Sequence, residues 1–325
     1  MGRRQKAAER RQSGRSSGRP VADNTLNMRV KFWGVRGSIP VPGPDTVVYG
    51  GNTTCIEVSA GETNMILDCG TGIRELGNYY SKLGKAVKVH IFLSHSHWDH
   101  IQGFPFFTPI YRYGNVINIY GPAHPDRTIK DLLELQMDGA YFPARYFELA
   151  AKIHHHNIRE EIVEIDDVTV QSRFMNHPIY TLGYRIQHDG RIVVYTSDNE
   201  PYTAFMYDHL KELGDAVPAG EMEEFLAQCN RRMVDFVADA DVVIADAMYR
   251  PDEYPRYRGW GHSSVEHAMD LAIKGNAKKL IVWHHDPNRT DAELDKMIID
   301  AQAVAKSRGS KLEVVGAKEK DVLEV

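Results

Sequence analysis

The stretch Phe92–Gly103, FLSHSHWDHIQG, constrains this chain more than any other. After an apolar run it sets His95, His97, Asp99 and His100 in the order H-x-H-x-D-H. A core rejects such groups unless each is paired, because burying an unpartnered polar side chain is costly. A surface gains nothing from the pattern. Imidazole nitrogens and carboxylate oxygens are, however, good ligands for Zn²⁺, Mn²⁺ or Fe²⁺. In an extended segment His95 and His97 point the same way. Asp99 and His100 follow where a strand gives way to a loop or helix, and there they can face a second ion.

The rest of the chain supplies further ligand candidates, each just past a predicted strand. His177 ends VTVQSRFMN, Asp198 ends RIVVYTS, and His284 and His285 end KKLIVW. Singly, each has a local reading: His177 as a turn residue before Pro178, Asp99 and Asp198 as helix caps. Together with H-x-H-x-D-H they read as one metal centre. The triplet His154–His156 lacks partners at matching spacing and reads as a solvated loop or helix face. Trp98 reads as packing beside the site.

Order begins near Met28. MRVKFWGV, CIEVSA, NMILDCG, Lys88–Leu93, NVINIYG, EIVEI, VTVQSRF, GYRIQ, RIVVYTS, DVVIADA and KKLIVWHH read as strands. Gly61-Glu62 and His188-Asp189-Gly190 are turn signals. Ile73, Leu76, Tyr80 and Leu83 fall at helical spacing before Gly84, and helical patterns cover residues 126–137 and 221–238. Ser263 to Glu266 and Thr290 to Glu293 match capping boxes. Strands and helices come in two successive batches, which fits helices covering stacked, largely antiparallel or mixed sheets.

No apolar run approaches the ~20 residues of a membrane span. The first residues carry no apolar signal segment. Three cysteines, Cys55, Cys69 and Cys229, form no C-x-x-C pair and read as small buried hydrophobes. A reducing cytoplasm is the simplest location. Residues 1–20 hold seven Arg/Lys and one Glu, a charge of 7 − 1 = +6, so residues 21–325 sum to −5 − 6 = −11. Residues 1–27 therefore read as a disordered basic tail and 28–325 as one folded domain. An acidic body is a poor platform for a long polyanion, which argues against nucleic acid as a partner for the folded domain, whereas a small anion in a metal-lined pocket meets no such obstacle.

HSHWDH resembles the signature of the metallo-β-lactamase fold superfamily, and the later landmarks recur in its order over nearly all of residues 28–325. FWGVRGSIP and YGGNTTC are similar to its cyclic phosphodiesterases, LDCGTG to its early aspartate-glycine motif, and WGHSS to its histidine-serine motif. The subgroup it looks most like holds RNase Z, phosphoribosyl cyclic phosphate phosphodiesterases and cyclic nucleotide phosphodiesterases. The resemblance implies an α/β fold: a four-layer αββα sandwich, two mixed β-sheets with helices on both outer faces. It implies two divalent ions, zinc before manganese or iron. His95, His97 and His177 would hold one, Asp99, His100 and His284 the other, and Asp198 would bridge them. Alignment on Pro287 favours His284 over His285, which becomes a supporting or substrate-side neighbour. Asp68 would orient the histidine loop. His262 would assist the leaving oxygen, with Asp246 as its partner, although Ala245 departs from the histidine that RNase Z-like sequences carry there.

The implied reaction is hydrolysis of a small cyclic phosphodiester, foremost a 3′,5′-cyclic nucleotide, by hydroxide shared between two metals. RNase Z-like cleavage of tRNA is the alternative, disfavoured by the lack of a basic, Gly/Pro-rich arm. Thioester or lactone hydrolysis is disfavoured by GHSS. A non-catalytic nucleotide-binding module is the rival of another class, and the filled ligand positions weigh against it. The family often forms homodimers. Asn52, Thr53 and Thr54 are candidates for the pocket mouth, and Tyr249, Arg250, Arg256 and Arg258 for phosphate or base contacts.

Overall fold

Alternation starts the fold. In β1 (Met28–Gly34), Met28, Val30 and Phe32 are buried, and Arg29 and Lys31 between them are partly exposed. The computed structural model describes residues 28–122, 124–203 and 219–325. The basic tail and part of the 201–238 insert lie outside those residues. β1 pairs antiparallel with β2 (Cys55–Ala60), which turns through Gly61, at a φ of 55°, into β3 (Thr63–Leu67). From there the sheet runs parallel through β4 (Lys88–Phe92), β5 (Val116–Pro122) and β6 (Lys152–Ile158).

The second half repeats this plan. β7 (Ile162–Ile165), β8 (Val168–Phe174), β9 (Leu182–His188) and β10 (Arg191–Tyr195) pair antiparallel. β11 (Val242–Asp246), β12 (Lys279–Trp283) and β13 (Glu313–Gly316) then add in parallel. β14 (Val322–Glu324) returns to the outer edge of β1. Two seven-stranded mixed sheets result, in the orders β14-β1-β2-β3-β4-β5-β6 and β13-β12-β11-β10-β9-β8-β7.

Between the sheets lies one core of residues such as Phe32, Val58, Phe92, Tyr184, Ile244 and Trp283. On the outer face of the first sheet, α1 (Ile73–Lys82) and α3 (Ile129–Gln136) bury Ile73, Leu76, Tyr80 and Leu133 against Ile66 and Ile91. On the outer face of the second, α4 (Ala219–Val237), α5 (Val265–Lys274) and α6 (Asp291–Ser307) bury Phe236, Met269 and Leu294 against Val243 and Leu280. This is the expected four-layer sandwich. Among the described residues no helix is long and apolar enough to cross a membrane.

Several local expectations shift. Thr290 and Glu293 form the predicted capping box, but α5 is capped by Ser264, whose Oγ accepts from the His267 N–H. Ser263 is drawn away because its hydroxyl donates to the Asn199 carbonyl at 2.6 Å. Leu83 is exposed as the C-cap of α1 rather than buried on its apolar face. His154–His156 lie in strand β6, not on a loop or helix. Side chains alternate faces there, so three consecutive histidines cannot converge on one ion. His156 stacks on Tyr120 with ring centres 4.4 Å apart, and His155 hydrogen-bonds Tyr146 Oη at 2.6 Å.

Trp283 is fully buried, edge-on to Tyr195 at 5.0 Å, and directly precedes His284. Trp283→Ala is expected to cost about 3–5 kcal/mol, as large aromatic deletions from a core do. A shift of the urea midpoint at unchanged slope measures it.

Candidate metal centre

Five parallel strands end at one edge of the sandwich, where ligand sites of open α/β sheets form. Asp68 follows β3, the histidine loop follows β4, Asp198 follows β10, Asp246 closes β11 and His284 follows β12. The backbone turns sharply there: Asp68, Ser197 and His284 take φ values of 62°, 52° and 61°. Left-handed conformations at non-glycine residues cost about 1–3 kcal/mol each and persist where the surroundings over-determine them. The sheets are tied at this edge. Tyr184 Oη donates to the Leu93 carbonyl at 2.6 Å, and the Leu182 N–H to the Ser94 carbonyl at 2.9 Å.

The first cluster is His95, His97, His177 and Asp198, with donor atoms all within 4.8 Å of one another. His97 Nδ1 lies 3.0 Å from His95 Nε2 and 3.2 Å from His177 Nε2. Asp198 Oδ2 is 3.5 Å from His95 Nε2. His177 Nδ1–H donates to the Gly261 carbonyl at 2.9 Å, which leaves its Nε2 lone pair facing the cluster. Burial pushes His95 and His97 down and holds His177 at about 4, so these rings are neutral, as ligands must be. Nitrogens bound tetrahedrally at about 2.0–2.1 Å stand about 3.3 Å apart. The spacing observed fits that geometry.

The second cluster is Asp99, His100, His284 and Asp198. His284 Nε2 lies 3.2 Å from Asp99 Oδ2 and 3.2 Å from Asp198 Oδ1, and His100 Nε2 lies 3.2 Å from Asp198 Oδ2. His100 Nδ1–H is committed to Asp68, so Nε2 is the ring nitrogen that faces the carboxylate oxygens and would hold a metal. Among the described residues His100 Nε2 and Asp198 Oδ1 are buried without a hydrogen-bond partner. Burial pushes His100 down, but Asp198, Asp99 and Asp68 outweigh it and hold the ring well above its usual range. Burial would raise Asp99 and Asp198, but His100 and its neighbours hold both well below theirs. The pocket favours a positive charge at this point, which a divalent cation can supply. Both donor sets fit a metal, and Asp198 belongs to both.

Asp68 orients this loop. Its Oδ1 accepts the Ser94 N–H at 2.6 Å, and its Oδ2 accepts Tyr195 Oη at 2.6 Å, Ser94 Oγ at 2.8 Å and His100 Nδ1 at 2.8 Å. Asp68→Ala is expected to weaken metal binding about 10–100-fold, as loss of a partner behind a ligand does. Competition with a chromophoric chelator measures it. Gly37 packs on His284, whose ring would lie 2.4 Å from any added Cβ. The neighbouring Ser38 N–H donates to Asp99 Oδ2 at 2.7 Å.

His262 stands beside the second cluster, its ring stacked on His284 at 4.9 Å. Its Nδ1 lies 2.9 Å from Asp246 Oδ2, and Asp246 Oδ1 accepts the Met248 N–H at 3.1 Å. Burial lowers the pKa of His262, but Asp246, with lesser help from Asp198 and Asp99, raises it to about 9. The structure thus brings the expected site residues together. His285 lies behind His284, fully buried, with its Nε2–H donating to the Ala317 carbonyl at 2.8 Å, as a supporting neighbour would.

Other expectations need correction. Trp98 is 79% exposed, because Asp99, His100 and Ile101 take the inward face of α2 (Trp98–Ile101). Asn52 bonds Glu319, while Thr53 is buried and exchanges hydrogen bonds with Thr71, so they brace the loop instead of lining a mouth. Arg250 pairs with Glu253 at 2.8 Å, and Tyr249 is buried in a stack with Tyr257.

Two supporting residues escaped the sequence reading. Arg36, within VRGS, is fully buried and donates to the carbonyls of Gly50 at 2.8 Å and Arg289 at 2.7 Å, fastening the loop after His285. Glu200 accepts Tyr254 Oη at 2.7 Å, the Gly259 N–H at 2.9 Å and the Gly261 N–H at 3.0 Å. It thereby sets the Gly261 carbonyl that orients His177.

Comparison with known proteins agrees with this architecture. Residues 63–218 match the model of the beta-lactamase superfamily domain. Ribonuclease Z of Thermoplasma acidophilum is 22% identical over 290 residues, covering 82% of this chain and 89% of its own. The crystal structure of YhfI from Bacillus subtilis, a metallo-beta-lactamase fold protein, superposes with a TM-score of 0.62 at 20% identity, covering 92% of this chain and all (100%) of that one. A diphosphatase from the PhnP family superposes with a TM-score of 0.59 at 15% identity, covering 92% and 100%. The match over residues 63–218 is thus to the beta-lactamase superfamily domain, and the described residues have the metallo-β-lactamase fold.

Proposed function

We propose that this chain is a metal-dependent phosphodiesterase that opens a small cyclic phosphodiester, foremost a 3′,5′-cyclic nucleotide. The observation that carries the reading is the sharing of Asp198 by two metal-type clusters, with a carboxylate-held histidine alongside. His95, His97 and His177 would hold one ion, and Asp99, His100 and His284 the other. When bound, two such ions supply Lewis acidity and water acidified towards hydroxide at neutral pH. The protein's own groups do the rest. Asp68 and Gly261 fix the tautomers of His100 and His177. Asp246 takes the Nδ1–H of His262, which leaves Nε2–H to protonate the departing oxygen. The names of the relatives, a ribonuclease and a diphosphatase, support phosphate chemistry for this site.

The choice of a small substrate rests on charge. The body from residue 21 on sums to −11, which opposes long phosphate tracts. A second reading, RNase Z-like cleavage of tRNA, is favoured by the curated relatives, which include the ribonuclease Z of Thermoplasma acidophilum. Hydrolysis of bis(p-nitrophenyl) phosphate tests what the two readings share. Activity is expected to vanish with a chelator and to return with Zn²⁺ or Mn²⁺. A protein that holds metal and hydrolyses no phosphodiester would be a binding module instead.

A further inference from the structure

Beside His177 the surface opens into a cleft of about 540 Å³, walled by His124, Phe174, Met175 and residues 177–181. It abuts the first cluster directly. His177 belongs to both, and Ser96 Oγ, between the ligands His95 and His97, lies 3.2 Å from His124 Nε2. Besides His177, three rings gather in it. Tyr180 sits 5.7 Å from Phe174 and 6.3 Å from His124, and it is 49% exposed. The lining carries no Lys or Arg among the described residues, so charge does not select its occupant. The volume falls within the roughly 300–1,000 Å³ of small-molecule sites. A cyclic sugar phosphate without a base would leave these rings unused, whereas a flat heteroaromatic ring stacks on such a surface.

We propose that this cleft takes the nucleobase of a small nucleotide, with Tyr180 as the stacking platform, while the phosphate lies at the metal clusters. The inference rests on the phosphodiesterase reading and narrows it to base-bearing substrates. It also makes recognition tolerant among bases, because every base has a face to stack.

The test is calorimetric binding of a nucleoside 5′-monophosphate and of ribose 5-phosphate to the metal-loaded protein. The parent is expected to bind the nucleotide roughly tenfold more tightly, in keeping with base–aromatic stacking. Tyr180→Ala is expected to erase most of that preference, and Tyr180→Phe to keep it. Equal affinities in the parent, or a preference that survives Tyr180→Ala, would overturn the cleft. Hydrolysis is scored separately. Base-dependent binding without opening of any cyclic nucleotide would support the cleft and sink the substrate proposed above. Opening of cyclic phosphates with no preference for a base would sink the cleft alone.

Discussion

Asp198→Ala is expected to strip metal from both clusters and to lower turnover by about 10³-fold or more. Its two oxygens serve different clusters: Oδ2 lies 3.5 Å from His95 Nε2 in the first, and Oδ1 lies 3.2 Å from His284 Nε2 in the second. Removing the carboxylate leaves buried imidazoles without the charge that organises them. Metal-ion catalysis of this kind is worth several kcal/mol, and each 1.36 kcal/mol is a factor of ten in rate. Elemental analysis of the purified variant reads the metal, and a phosphodiester assay reads the rate. His97→Ala differs in kind, since His97 belongs only to the first cluster. Loss of about one equivalent there, against about two for Asp198→Ala, would separate a shared ligand from an unshared one.

His262→Ala is expected to keep its metal and lose about 10²–10⁴-fold in turnover, the usual range for a general acid. The same residue sets a pH limb. Its folded pKa is raised to about 9 from an ordinary 6.5, so the acid form persists through neutral pH and is lost as pH rises through the folded value. Cations in the neighbouring clusters act in the opposite direction, so in the loaded protein this limb lies below about 9. The rate is expected to fall on the alkaline side in the parent, to fall at lower pH in Asp246→Asn, and to show no such limb in His262→Ala. The pH dependence of kcat measures all three. An alkaline limb that stays in place in both variants would remove His262 from the proton transfer.

The proposed ligands were legible because each follows an apolar strand pattern, and a residue just past a strand is placed by the strand. The H-x-H-x-D-H segment works the same way: β4 delivers it, and Asp68 at the end of the adjacent β3 receives it. The layers were legible from the two batches of strands and helices. Long-range partners were not. Arg36 reaches the carbonyl of Arg289, and nothing near either residue announces the pairing. Glu200 gathers N–H groups from a loop about 60 residues away in sequence, which only the folded sheet brings near. The cap of α5 slipped from Ser263 to Ser264 because adjacent serines offer the same chemistry and the Asn199 carbonyl decided between them. Trp98 was misplaced because an aromatic beside histidines reads as packing, whereas a single helical turn had already committed its inward face to Asp99 and His100.

The most direct measurement is a hydrolysis panel run with added Zn²⁺ or Mn²⁺: 3′,5′-cyclic nucleotides, 2′,3′-cyclic nucleotides and a precursor tRNA. Metal-dependent opening of a cyclic nucleotide, with the tRNA left intact, is the predicted result. Cleavage of the tRNA with the cyclic nucleotides untouched would contradict the account and show that RNA binding prevails despite the acidic body.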